Sequence, residues 1–120
     1  MKTYTTFRFL DYKVYQEAKK IFIELENMKE IFEKSSLYPA LVNTSTSIVL
    51  HVAEASALLP KQAKKELQKA ILATHKTVAI LDIYTDLQEL TPEEFNNFSE
   101  LYKGIIFQLK CFIKALPVKS

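Results

Sequence analysis

The chain has 120 residues, of which 48% are hydrophobic and 25% charged, with a formal net charge of +2. One domain of this size buries a core without staples, and a near-balanced charge does not by itself announce a nucleic-acid binder. Gly104 is the sole glycine and Cys111 the sole cysteine, which disfavours phosphate-cradling and dinucleotide-binding turns and excludes an internal disulfide.

In chain order, residues 1–10 form an N-terminal arm, MKTYTTFRFL, without the apolar core of a signal peptide. The first helix is predicted over 11–34: Asp11 is its N-cap, and Val14, Ala18, Ile21, Leu25, Met28 and Phe32 recur at steps of four and three, which keeps them on one face. Ser35 and Ser36, with Pro39 in the first turn, restart the chain for a second helix over 36–58, with Leu37, Leu41, Ser45, Ile48, Val52, Ala55 and Leu59 as its stripe. Pro60 opens a third helix over 60–89, carrying Leu67, Ala70, Thr74, Val78, Leu81 and Leu87. Thr91-Pro92-Glu93-Glu94 reads as a capping box with proline at the first helical position. It starts a fourth helix over 92–116 with Phe95, Phe98, Tyr102, Ile105, Leu109, Phe112 and Leu116 facing inward. Residues 117–120 are a tail. Short connections force sequential helices to lie antiparallel, so the expected fold is all-α, one up-down-up-down four-helix bundle. No apolar run reaches the ~20 residues needed to span a bilayer. The protein is expected in the cytoplasm, away from membranes.

The third helix is apolar on too many sides for a monomer. Ile71, Leu72, Ile80 and Ile83 lie off its core stripe, and a helix apolar over most of its circumference is covered on more than one side. These four residues are the expected interface of a homo-oligomer.

Lys61, Lys65 and Lys69 recur at four-residue steps, with Lys64 beside them and Lys76 two turns on. The first of them fall where a helix macrodipole is already positive, and together they build an anion-attracting edge. Repeated around a ring, weak phosphate contacts add through avidity; the alternative is a solvated face. Arg8 is the only arginine, so sequence-specific readout of bases is not expected. His51 and Glu54 share a helix face, but bundle metal sites repeat Glu-x-x-His on two helices. Here there is one copy in reverse order, and His75 falls about 10 Å along the axis from His51's expected level. No metal and no cofactor are expected, and the pair reads as a polar contact between helices or subunits. Cys111 has neither a nearby histidine nor an oxyanion-type glycine turn, so the chain is not read as an enzyme.

Phe9, Asp11, Val14, Tyr15, Gln16 and Ala18 follow the order F-x-D-L-x-V-Y-Q-x-A. Ser47, Ile48, Ala53 and Glu54 fit S-I-x-x-N-I-A-E-G, with His51, Val52 and Ala55 as replacements. Val78–Asp82 fits a V-A-I-L-D run, and Ile105–Leu116 an L-x-x-M-L-x-x-L-I-x-x-L ending with Gln108 in the methionine place. In this the chain resembles the four helix bundle protein family, which includes proteins encoded by intervening sequences in bacterial large-subunit ribosomal RNA genes. The resemblance implies an antiparallel four-helix bundle assembled as a homopentamer. It also implies kinship with the accessory protein of diversity-generating retroelements, a basic pentamer that engages nucleic acid and a reverse transcriptase. Where the family places arginines before the S-I motif, this chain has Val42 and Asn43. Where it carries R-G-S-x-x-E, this chain has Ile71, Leu72, Ala73 and Lys76. Two functions are expected: a non-enzymatic scaffold that binds RNA, DNA or a polymerase through Lys61, Lys64, Lys65, Lys69 and Lys76, or a protein-interaction module that binds no nucleic acid.

Overall fold

Most residues of the four predicted apolar stripes lie on buried helix faces. A computed structural model describes residues 6–117; 82% of them are helical and none is in a strand. The elements are a 3-10 helix, Arg8–Asp11, then α1 (Lys13–Asn27), α2 (Lys29–Phe32), α3 (Tyr38–Ala55), α4 (Pro60–Asp86) and α5 (Pro92–Ala115). The four long helices pack compactly: α1 lies against α3 and α5, and α4 against the same two. Among the described residues, no helix is long and apolar enough to cross a membrane.

The predicted first helix is divided. Asp11 ends the 3-10 helix instead of capping α1, whose N-cap position is Tyr12, without a side-chain cap. At the far end Met28 leaves helical geometry and separates α1 from the single turn of α2. Phe32 holds that turn in the core, its ring edge-on to Tyr84 at 4.8 Å, and its carbonyl accepts a 2.8 Å hydrogen bond from the Tyr84 hydroxyl.

Helix α3 contains the run Thr44-Ser45-Thr46-Ser47, an unpromising helix interior because such side chains compete for backbone groups. Each hydroxyl bonds a carbonyl three or four residues back, which satisfies it within the helix. Thr44 and Ser47 line a groove with Ala73 of α4. Thr77 Oγ1 donates to Thr44 Oγ1 at 2.9 Å.

The junctions follow local chemistry. At the start of α5, Thr91 Oγ1 accepts from the Glu94 N–H at 3.0 Å, and Glu94 Oε1 accepts from the Thr91 N–H at 2.9 Å, the predicted capping box. Leu59 and Leu87, expected on core stripes, sit at the two cap positions of α4 and are exposed; Leu90 is buried just beyond. Helix α4 ends in a Schellman motif: Gln88 N–H bonds the Thr85 carbonyl and Glu89 N–H the Tyr84 carbonyl, both at 3.0 Å. Gln88 takes φ 62°, where a side chain is strained. Gln88→Gly is therefore expected to raise stability by about 0.5–1 kcal/mol in urea unfolding. An unchanged or lower midpoint would show that Gln88 makes a compensating contact.

Candidate functional site

The five predicted lysines separate into three settings. Lys61 and Lys64, on the first turns of α4, line a cleft of about 520 Å³ together with Lys114 from the last turn of α5, with Pro60, Ile113 and Leu116 as apolar walls. Lys65 is exposed on the same turns. Lys69 borders the groove between α3 and α4, and its Nζ donates to Glu66 Oε2, one turn back on α4, at 3.0 Å. Lys76 lies farther along, on a groove between α3 and α4. Lys114 joins the lysine edge from a helix the sequence reading did not connect with it; its signal was its place at the end of the fourth predicted helix.

The start of α4 suits an anion for a second reason. No side chain caps it and no acidic residue stands in its first turn. The Lys61 and Gln62 N–H groups have no acceptor within the helix, and the macrodipole places positive partial charge there. The whole end of the molecule is basic. The Tyr12 and Phe112 rings meet at 5.3 Å, and Arg8 Nη2 donates to the Ser56 carbonyl at 3.3 Å. Arg8, Lys13, Lys61, Lys64, Lys65, Lys69, Lys110 and Lys114 thus outnumber Asp11, Glu17, Glu54 and Glu66 there; Glu17 pairs with Lys13 at 3.8 Å and Glu66 with Lys69 at 3.0 Å. At the other end, the Tyr38 hydroxyl donates to Glu26 at 3.0 Å, and Lys34 and Ser35 share a cleft with Leu87 and Glu89. There Glu26, Glu30, Glu33, Asp82, Asp86, Glu89, Glu93 and Glu94 outnumber Lys29 and Lys34. A chain of nearly zero net charge is thus electrically polarised along its length.

Between α3 and α4 lies a second polar cluster. His51 Nδ1 donates to Glu66 Oε1 at 2.8 Å, because an ionised carboxylate can only accept. The Glu66 side chain is 10% exposed. Glu66 was missed in the sequence, where it passes for one more charge in the Lys-Lys-Glu-Leu-Gln-Lys run. Helix rotation instead places it beside Leu67 and Ala70 on the buried face. His51 meets Glu66 across the two helices, and Glu54 joins the pair. The Lys69 ammonium and the His51 ring together hold the Glu66 carboxyl below its ordinary pKa against the opposing effect of burial, the Lys69 hydrogen bond being the largest influence.

A depressed folded-state pKa stabilises the fold above the unfolded value of about 4.3, and the contribution is lost as pH falls through the folded pKa. Wild type is therefore expected to exceed Glu66→Gln in stability at neutral pH, with the gap closing on acidification. Urea midpoints between neutral and acid pH read this directly; a gap that stays constant would refute the linkage. Alongside the cluster runs a groove of about 260 Å³ lined by Asn43, Thr44, Ser47, His51, Lys69 and Lys76.

The expected interface quartet is divided in two. Ile71 and Ile80 are half-buried, packed against the chain's own core. They lie on the two flanks of the buried arc of α4, which is wide because the helix packs on both α3 and α5. Leu72 is 60% exposed and Ile83 43%, with Leu50 of α3 at 64%. Cys111 is an exposed free thiol on α5. Comparison of the chain with protein-family models, with curated proteins and with solved structures finds no match to any of them.

Proposed function

We propose that this protein is a non-enzymatic, self-associating scaffold whose lysine-bearing end binds the phosphate backbone of nucleic acid. The observation that carries this reading is the convergence of Lys61, Lys64 and Lys114 on one cleft at the uncapped start of α4. Amines on flexible stems at a helix N-terminus attract phosphate without reading bases, which suits a chain with one arginine. The resemblance to the four helix bundle protein family implies the same class of partner, RNA or DNA with a reverse transcriptase, in a cytoplasmic setting.

The proposed topology is up-down-up-down. It is supported by the pairs Tyr12–Phe112 and Glu17–Gln108 across α1 and α5, and Thr44–Thr77 and His51–Glu66 across α3 and α4. In each set one residue number falls as the other rises. Self-association is supported by Leu50, Leu72 and Ile83, large apolar side chains left in water on α3 and α4. A homopentamer is what the family resemblance implies, and closed symmetry satisfies such a face without free ends.

The same exposed apolar side chains favour a second reading, a module that binds another protein and no nucleic acid. Fluorescence anisotropy with generic single-stranded RNA and DNA separates the two. Saturable binding that weakens strongly in the Lys61→Ala, Lys64→Ala, Lys114→Ala triple variant is the expected result. Absence of binding at low salt would leave the protein-interaction reading. Light scattering on Leu72→Glu, Ile83→Glu is expected to give monomers near 13.9 kDa. A wild type already at that mass would refute self-association.

A further inference from the structure

Three side chains between α3 and α4 meet in a way that neither a scaffold nor a phosphate-binding end requires. His51 and Glu54 are three residues apart on α3 and share a face; Glu66 reaches them from α4. Their imidazole and carboxylate ligand atoms all lie within 4.8 Å of one another. We propose that His51, Glu54 and Glu66 form a site for one divalent first-row transition ion, with zinc as its reference member.

The donor set is one nitrogen and two carboxylate oxygens, which suits zinc, cobalt and nickel; magnesium and calcium take oxygen ligands. Two ligand atoms about 2.0–2.1 Å from a tetrahedral ion stand about 3.3 Å apart. His51 Nδ1 and Glu66 Oε1, now 2.8 Å apart, need to part by only about half an ångström. The Glu54 carboxylate, on an exposed flexible arm, closes the rest. The ion takes the place of the hydrogen between Nδ1 and Oε1, and the neutral ring then carries its proton on Nε2.

Two further observations fit an ion here. Glu66 is a mostly buried carboxylate whose Oε2 is already held by Lys69 Nζ at 3.0 Å. That contact leaves Oε1 for the ion and fixes the ligand's orientation, as outer partners of metal ligands do. His51 and Lys69 also line the α3–α4 groove, so the imidazole edge of the cluster borders open space. Lys69 places one positive charge against two carboxylates and a neutral imidazole, so the cluster keeps a net negative charge for a cation.

The test is isothermal titration of tag-free protein with zinc near neutral pH, with cobalt absorption as a spectroscopic readout of the same site. The expected result is saturable binding of one zinc per chain. Glu54→Gln and His51→Ala each weaken it at least about tenfold while the circular-dichroism spectrum stays helical. His75→Ala and Cys111→Ser leave the affinity unchanged, and excess magnesium does not compete. Glu54 is exposed, so its variant stays informative even if His51→Ala fails to fold. No saturable binding, an affinity unmoved by Glu54→Gln, or loss on changing His75 or Cys111 instead would each overturn the site.

Discussion

Tyr84→Ala is expected to lower stability by about 3–5 kcal/mol, as truncation of a buried aromatic ring does. The side chain is fully buried, and it does two things for the fold. Its ring packs edge-on against Phe32, and its hydroxyl donates to the Phe32 carbonyl at 2.8 Å, so one residue of α4 anchors the isolated turn of α2. Truncation leaves a cavity and also frees Phe32 from its partner. Against a total stability of about 5–15 kcal/mol for an ordinary domain, the loss is a large share. Tyr84→Phe keeps the ring and is expected to cost only about 1 kcal/mol. The Phe32 carbonyl still accepts from the Ser35 N–H at 3.2 Å. Urea unfolding of both variants checks this. A Tyr84→Ala midpoint close to wild type would show that α2 is held by something other than Tyr84.

The lysine triple variant, Lys61→Ala, Lys64→Ala and Lys114→Ala, is expected to weaken binding of generic nucleic acid on the order of 100-fold at low salt. A lysine held near an anionic surface contributes about 1 kcal/mol, and three together give about two decades in Kd. Removing Lys69 alone is expected to matter little, because its ammonium already serves Glu66. Anisotropy titrations of the two variants side by side check the assignment. Equal losses from both would place phosphate along the whole α4 stripe instead of at its end.

The helices were legible because the signal was redundant. Val14, Ala18, Ile21 and Leu25 repeat a face four times, and Thr91 with Glu94 fixes a start in local chemistry that no distant contact can override. The break at Met28 was not legible, since neither glycine nor proline marks it. The end of α4 was read three residues late, because Gln88 takes a left-handed conformation in the place where glycine is the usual signal. At the sites, exposure depended on facts absent from one helix alone. Ile71 and Ile80 are covered because α4 has two extensively packed neighbours. Glu66 meets His51 because of the register between α3 and α4. Lys114 reaches Lys61 only once the end of α5 lies beside the start of α4. Periodicity states which face a residue occupies, and packing decides what that face meets.

The most direct test of the phosphate-binding end is the salt dependence of wild-type binding to a generic single-stranded oligonucleotide. Three phosphate contacts release counterions with a slope of about −0.7 each for single strands, so log K against log salt is expected to fall with a slope near −2 per engaged subunit. The triple lysine variant is expected to lose most of that slope. A wild type that binds with no salt dependence, or does not bind, would contradict the proposed function.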